Sequence, residues 1–164
     1  MKYRFLLLLL FFGTLVTGQT DARIYDIIEA VSAERIEADI TKLAGFGTRN
    51  TFSDTLSNTR GIGAARRWIK AEFEKVSQDC GNCLDVFTQK DFVKADGNDR
   101  IPKDTWIVNV VAVQKGTKYP NRYIIMSGDI DSRNSDGSDY TKDAPGANDN
   151  ASGMAGAIEA ARVL

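Results

Sequence analysis

The chain has 164 residues, 43% of them hydrophobic, and its 21 basic and 22 acidic residues nearly cancel. Such a composition supports one buried core and carries no basic excess for nucleic acid, so no nucleic-acid partner is expected. Histidine is absent, which excludes every Ser-His-Asp, Cys-His and His-metal arrangement from these residues and leaves carboxylates, hydroxyls, Lys/Arg and metal ions as the available chemistry.

Residues 1–18 read as an export signal. Met1-Lys2-Tyr3-Arg4 is a short basic start, Phe5 to Val16 is apolar, and Val16-Thr17-Gly18 offers the small-residue pattern that a signal peptidase accepts. The apolar run is shorter than the roughly twenty residues of a spanning helix, so no stable membrane span is expected; left uncleaved, the segment would act as a signal anchor. Cleavage removes Lys2 and Arg4 and no acid, leaving 19 basic against 22 acidic residues in a mildly acidic domain that is secreted or periplasmic.

After the signal, Ile24, Ile27, Ile28 and Val31 recur at helical spacing, and a second register with Ile36, Ile40 and Leu43 follows Ser32 and stops at Gly45. Residues 45–59 are polar and irregular and predict a long loop. Ile62, Ala65, Ile69, Phe73 and Val76 mark one face of a helix from about Gly61 to Ser77. Cys80-Gly81-Asn82-Cys83 has the spacing of a redox dithiol or half a zinc knuckle, but a knuckle needs two further ligands that this segment lacks. The motif follows a helix rather than preceding one, and in an oxidising compartment a structural disulfide is the simpler reading. Strands are predicted at Leu84–Val93, Trp106–Val113 and Tyr123–Met126, with a turn at Asp96–Asp99. Ala151–Leu164 is helical, with Met154, Ile158 and Ala161 on one side. Because no capping Gly, polar turn or Pro follows it, residues 19–164 are expected to be the N-terminal part of a single longer α/β domain.

Carboxylates concentrate where the predicted strand at Tyr123–Met126 ends, in Gly128-Asp129-Ile130-Asp131-Ser132-Arg133, and in the turn Ala144-Pro145-Gly146-Ala147-Asn148-Asp149-Asn150-Ala151-Ser152-Gly153. Ligands of α/β proteins collect at the carboxyl ends of strands, which makes Asp129, Asp131 and Asp149 the candidate site residues. Each has a plainer reading: Asp149 as an acid serving the N–H groups of the following helix, Asp131 as a solvated loop acid, and Asp129 as a simple substitution. Other motifs fail. Gly61-Ile62-Gly63 lacks the third Gly of a dinucleotide fingerprint, and Arg133 and Asn134 break a calcium-loop pattern. Ser152 has neither the preceding Gly nor the histidine of a nucleophile elbow. The sequon Asn150-Ala151-Ser152 lies inside the carboxylate turn.

These two segments, together with Ile158-Glu159-Ala160-Ala161-Arg162 and more weakly Leu43 to Arg49, Gly61 to Trp68 and Asn109 to Val113, resemble the family 28 metallopeptidases. These are secreted or membrane-attached di-zinc aminopeptidases and their relatives. The resemblance implies a three-layer α/β/α fold with a mostly parallel twisted sheet, incomplete in this chain, and two zinc ions. It implies that Asp149 bridges the metals, that Asp131 is the acid that supports a zinc-ligand histidine, and that Asp129 stands where that histidine is usual. It also implies a cis peptide bond between Asp149 and Asn150. A shared anion offsets the repulsion of two cations about 3.5–4 Å apart. The remaining ligands and the glutamate base are expected beyond Leu164, where a metal-bound water would attack the carbonyl of a peptide docked by its free N-terminus. The alternative reading is a peptidase-like binding or structural protein that has lost hydrolysis, which the missing histidine would explain.

Overall fold

The computed structural model describes residues 21–97, 100–136 and 138–164. The expected export signal at 1–18, and Asn98 and Asp99 of the expected turn, lie outside them. The chain divides between Ala30 and Val31 into two units. In the first, the described residues form helix α1 (Ala22–Ala30), on which Ile24 and Ile28 stay exposed.

The second unit carries the rest. Its order is α2 (Ala33–Ala44), α3 (Gly61–Asp79), strands β1 (Leu84–Val93) and β2 (Thr105–Gln114), and α4 (Ser152–Val163). Ser32 starts α2 because its hydroxyl accepts the Arg35 backbone N–H, satisfying a donor that the first turn leaves unpaired. The apolar face read for α3 is the buried one: Ile62, Ala65, Ile69, Phe73 and Val76 all lie inside. The two strands form an antiparallel hairpin in which Val86 faces Ala112 and Phe92 faces Trp106. Helix α3 packs on both strands and against α4, and α4 packs on α2. Leu43, Phe46, Ala65, Ile69, Met154 and Ile158 make the core between the helices, with Val86, Val110 and Ala112 turned toward it from the sheet.

Five charged residues, Glu159, Arg162, Arg35, Asp39 and Glu72, lock the helices together. Glu159 is 2% exposed and accepts the Ser32 backbone N–H at 2.8 Å and Arg35 Nε at 3.0 Å. Arg162 donates to Asp39 at 2.6 Å and to Glu72 at 2.9 Å, and lies 3.3 Å from Glu159. The pair Glu159 and Arg162 therefore supports the fold by joining α2, α3 and α4, rather than decorating a surface.

The sheet is where structure and expectation part. Among the described residues it has two antiparallel strands, and the single parallel pairing is an isolated bridge between Thr48 and Ala144. Tyr123–Met126 joins no sheet: Ile124 is 96% and Ile125 86% exposed. A run of apolar residues becomes a strand only when a neighbour takes its backbone N–H and C=O groups, and no described segment does so here. No helix among the described residues is long and apolar enough to cross a membrane.

Cys80 and Cys83 form a disulfide with their Cα atoms 5.6 Å apart. It closes the turn between α3 and β1, beside Ser77, whose hydroxyl donates to the Leu84 carbonyl at 2.8 Å. In the full-length protein both thiols are expected to resist alkylation until a reductant is added. Intact mass with and without reduction checks this, and ready labelling of the unreduced protein would remove the staple.

Candidate active site

Two stretches carry the candidate carboxylates, and an arginine buried between them joins them. Arg49 is 1% exposed. Its guanidinium donates to four backbone carbonyls: Ile130 through Nε at 2.9 Å, Leu43 and Pro145 through Nη1 at 2.9 and 2.6 Å, and Gly146 through Nη2 at 2.9 Å. Its own N–H donates to Ser132 Oγ at 2.9 Å, and that hydroxyl donates to the Ala144 carbonyl at 2.5 Å. The Ser132 N–H returns to the Arg49 carbonyl, and the Ala144 N–H to Gly47. Three remote segments are thereby stitched into one frame.

Within the frame, residues 128–133 alternate. Ile130 packs against the core and Ser132 is buried, while Asp129 and Arg133 are exposed and Asp131 is half-buried, as the two-residue period of extended backbone requires. Asp131 lies in the field of two guanidinium groups, Arg49 and Arg66. Burial pulls both arginines below their ordinary values, and the Asp131 charge offsets part of that. Both guanidinium groups therefore feel the charge of Asp131. Arg66 sits on α3 with its Nε buried and without a hydrogen-bond partner.

The turn at 144–153 is shaped by glycines and by Asn150. Gly146 has φ +48°, and a Cβ there would lie 2.5 Å from the Asp149 carbonyl oxygen, so a side chain at this position is excluded by both conformation and space. Gly128 approaches the first turn of α4 so closely that a Cβ would meet Met154 N at 2.5 Å. The Asp149–Asn150 peptide bond is cis, as the resemblance implies. Asn150 Oδ1 accepts the Gly153 N–H at 2.8 Å, in the first turn of α4. Asn150, and not Asp149, therefore does the capping work.

Asp149 is thus exposed and makes no hydrogen bond or ion pair, and the same holds for Asp129. Its backbone, at φ −114° and ψ 97°, is ordinary extended conformation. Both carboxylates offer oxygen donors of a kind that zinc accepts. Their number is too small: among the described residues no three His, Cys, Asp or Glu side chains form a group able to hold a metal ion, whereas a zinc site takes three or four protein ligands. Asp129, Asp131 and Asp149 do not by themselves make a zinc site. The acidic loop before the turn is no substitute, because Asp139 accepts the Thr141 and Lys142 N–H groups, which hold its carboxyl far below the usual range.

Residues 109–164, which include all three candidate carboxylates, match the model of Peptidase family M28. The chain belongs to that family. This M28 chain is 47% identical over 150 residues to a probable zinc metalloprotease of Leptosphaeria maculans, covering 92% of the chain and 34% of the relative. A probable zinc metalloprotease of Pyrenophora teres f. teres is also 47% identical, over 92% of the chain and 31% of the relative. One of Pyricularia oryzae is 43% identical, over 93% of the chain and 30% of the relative. The M28 chain spans about a third of the length of these curated relatives. No solved structure matches it.

Two participants were poorly marked in the sequence. Ser132 looks like any loop serine. Arg66 left a trace, since it follows Ile62 by four residues and so falls on the apolar face of α3, where an unpaired charge is out of place. Arg49, in Gly47-Thr48-Arg49, is legible as a loop anchor, though not its reach to both carboxylate segments.

Proposed function

We propose that the full-length protein is a secreted, zinc-dependent exopeptidase of the aminopeptidase type, which removes residues from peptides with a free N-terminus. The reading joins family membership to one observation: Asp149, in the segment that matches the family, is an exposed carboxylate that the fold does not use, because Asn150 already caps α4. The names of the relatives, probable zinc metalloproteases, support zinc and peptide hydrolysis. Zinc, when bound, would supply a Lewis acid and an activated water. Asp149 and Asp129, the second standing where the family pattern has a histidine, would help to hold two zinc ions. The rest of the ligands and a mostly parallel sheet that takes in Tyr123–Met126 would come from the remainder of the protein, and residues 1–18 would direct its export.

The test is hydrolysis of an aminoacyl 4-nitroanilide and of its N-acetylated counterpart by the full-length protein. Activity is expected to vanish on treatment with a chelator and return with zinc, and acetylation is expected to reduce kcat/KM by at least ~100-fold, as loss of a charged docking contact would. Equal cleavage of blocked substrates would make it an endopeptidase. No hydrolysis of any peptide by zinc-loaded protein would favour the binding or structural reading that the replaced histidine suggests.

A further inference from the structure

We propose that Arg49 is a positioning residue of the carboxylate site: its guanidinium sets the separation between the Asp129–Asp131 segment and the turn that carries Asp149. The inference rests on the peptidase reading for its kinetic consequence but not for its structural one. Buried arginines are ordinarily neutralised by carboxylates, as Arg162 is by Asp39 and Glu72. Arg49 instead spends its donors on main-chain carbonyls. The residues chosen are informative. Ile130 lies between Asp129 and Asp131, Pro145 and Gly146 enter the turn that leads to Asp149, and Leu43 anchors the whole to the end of α2.

A planar fork with its N–H groups fixed in direction can hold two strands at a set distance; an ammonium, with three donors at one point, cannot span them. Because the partners are neutral carbonyls, the positive charge of Arg49 is not cancelled locally and remains to act on Asp131. One side chain thus orients the backbone of both segments and offsets the charge of the acid between them. Ser132 supplies the second tie, from the Arg49 N–H to the Ala144 carbonyl.

The experiment compares Arg49→Lys, Ser132→Ala and Ile69→Ala in the full-length protein. Ile69 is a fully buried core residue that takes no part in these bonds and serves as a control for general loss of stability. Segment-resolved hydrogen exchange and steady-state kinetics are read on each. For Arg49→Lys, exchange in 129–133 and 144–151 is expected to rise about tenfold, as the loss of one or two hydrogen bonds allows, with β1 and β2 unchanged. Its kcat should fall ~100-fold with KM within about threefold, the signature of misplaced rather than missing groups. Ser132→Ala should show the same regional pattern at smaller size, and it decides the matter if Arg49→Lys does not fold. Ile69→Ala should raise exchange throughout and keep kcat within about threefold. Uniform exchange in Arg49→Lys, or a kcat loss no larger than in Ile69→Ala, would overturn the proposal. If the wild-type protein hydrolyses no peptide, the peptidase reading falls and the exchange pattern alone judges Arg49: regional loosening upholds its positioning role and uniform loosening refutes it.

Discussion

Asp149→Ala in the full-length protein is expected to abolish peptide hydrolysis, with a loss of ~10³-fold or more in kcat, while thermal stability hardly moves. The two halves of this expectation come from different facts. The side chain is exposed and bonds to nothing, and the backbone there is a conformation that alanine adopts readily. Surface substitutions of that kind usually change stability by less than about 0.5 kcal/mol. The cap of α4 survives because Asn150 provides it. Activity is another matter, since a carboxylate shared by two metals holds the reactive assembly together and its removal disables the unit rather than one contact. Zinc content by elemental analysis should fall together with activity. Asp129→Ala is expected to lower both less, as a carboxylate bound to one metal would. Wild-type activity and zinc in Asp149→Ala would dismiss it as a ligand. A large fall in melting temperature would instead assign it a structural task that the bonds around it do not show.

The second large effect is on stability. Glu159→Gln should destabilise the full-length protein by about 1–2 kcal/mol near neutral pH, because it removes the counter-charge of the half-exposed Arg35 and one of the three carboxylates around Arg162. The pH dependence gives the sharper test. Hydrogen bonding from Arg35 holds the Glu159 carboxyl at about 2, against an ordinary value near 4.5, even though burial pushes the other way. A carboxyl depressed by folding contributes its stability in full above the unfolded value and loses it as pH falls from about 4.5 through about 2. The wild-type protein should therefore lose stability across that window by taking up a proton that glutamine cannot take. The gap between wild type and variant should narrow as the pH falls through it. Denaturant unfolding at a series of pH values from neutral to acid measures the gap, and a constant difference would mean that the carboxylate charge does not matter to the fold.

The legible elements share a physical basis, which is short range. The periodicity of Ile62, Ala65, Ile69, Phe73 and Val76 yields α3, because a helix closes its hydrogen bonds four residues away and only its buried stripe has to be guessed. Ser32 before α2, the staple at Cys80 and Cys83, and the β-rich runs that become β1 and β2 are local in the same sense. Asp129, Asp131 and Asp149 became candidates through their place after the predicted strand at Tyr123–Met126 and in the turn before α4, and the resemblance added the roles proposed for them.

Partners far along the chain were decided by tertiary structure alone. Tyr123–Met126 reads as a strand by composition, yet a strand exists only beside another, and its side chains remain exposed. Asp149 and Asn150 are equally suited by type to cap α4, and the geometry of the turn gave the task to Asn150. Arg49 reaches Ile130, Pro145 and Gly146 across 81 to 97 residues, and Arg35 reaches Glu159 across 124. Periodicity reports which face of an element is buried; it holds no record of which distant carbonyl or carboxylate will be waiting there when the elements pack.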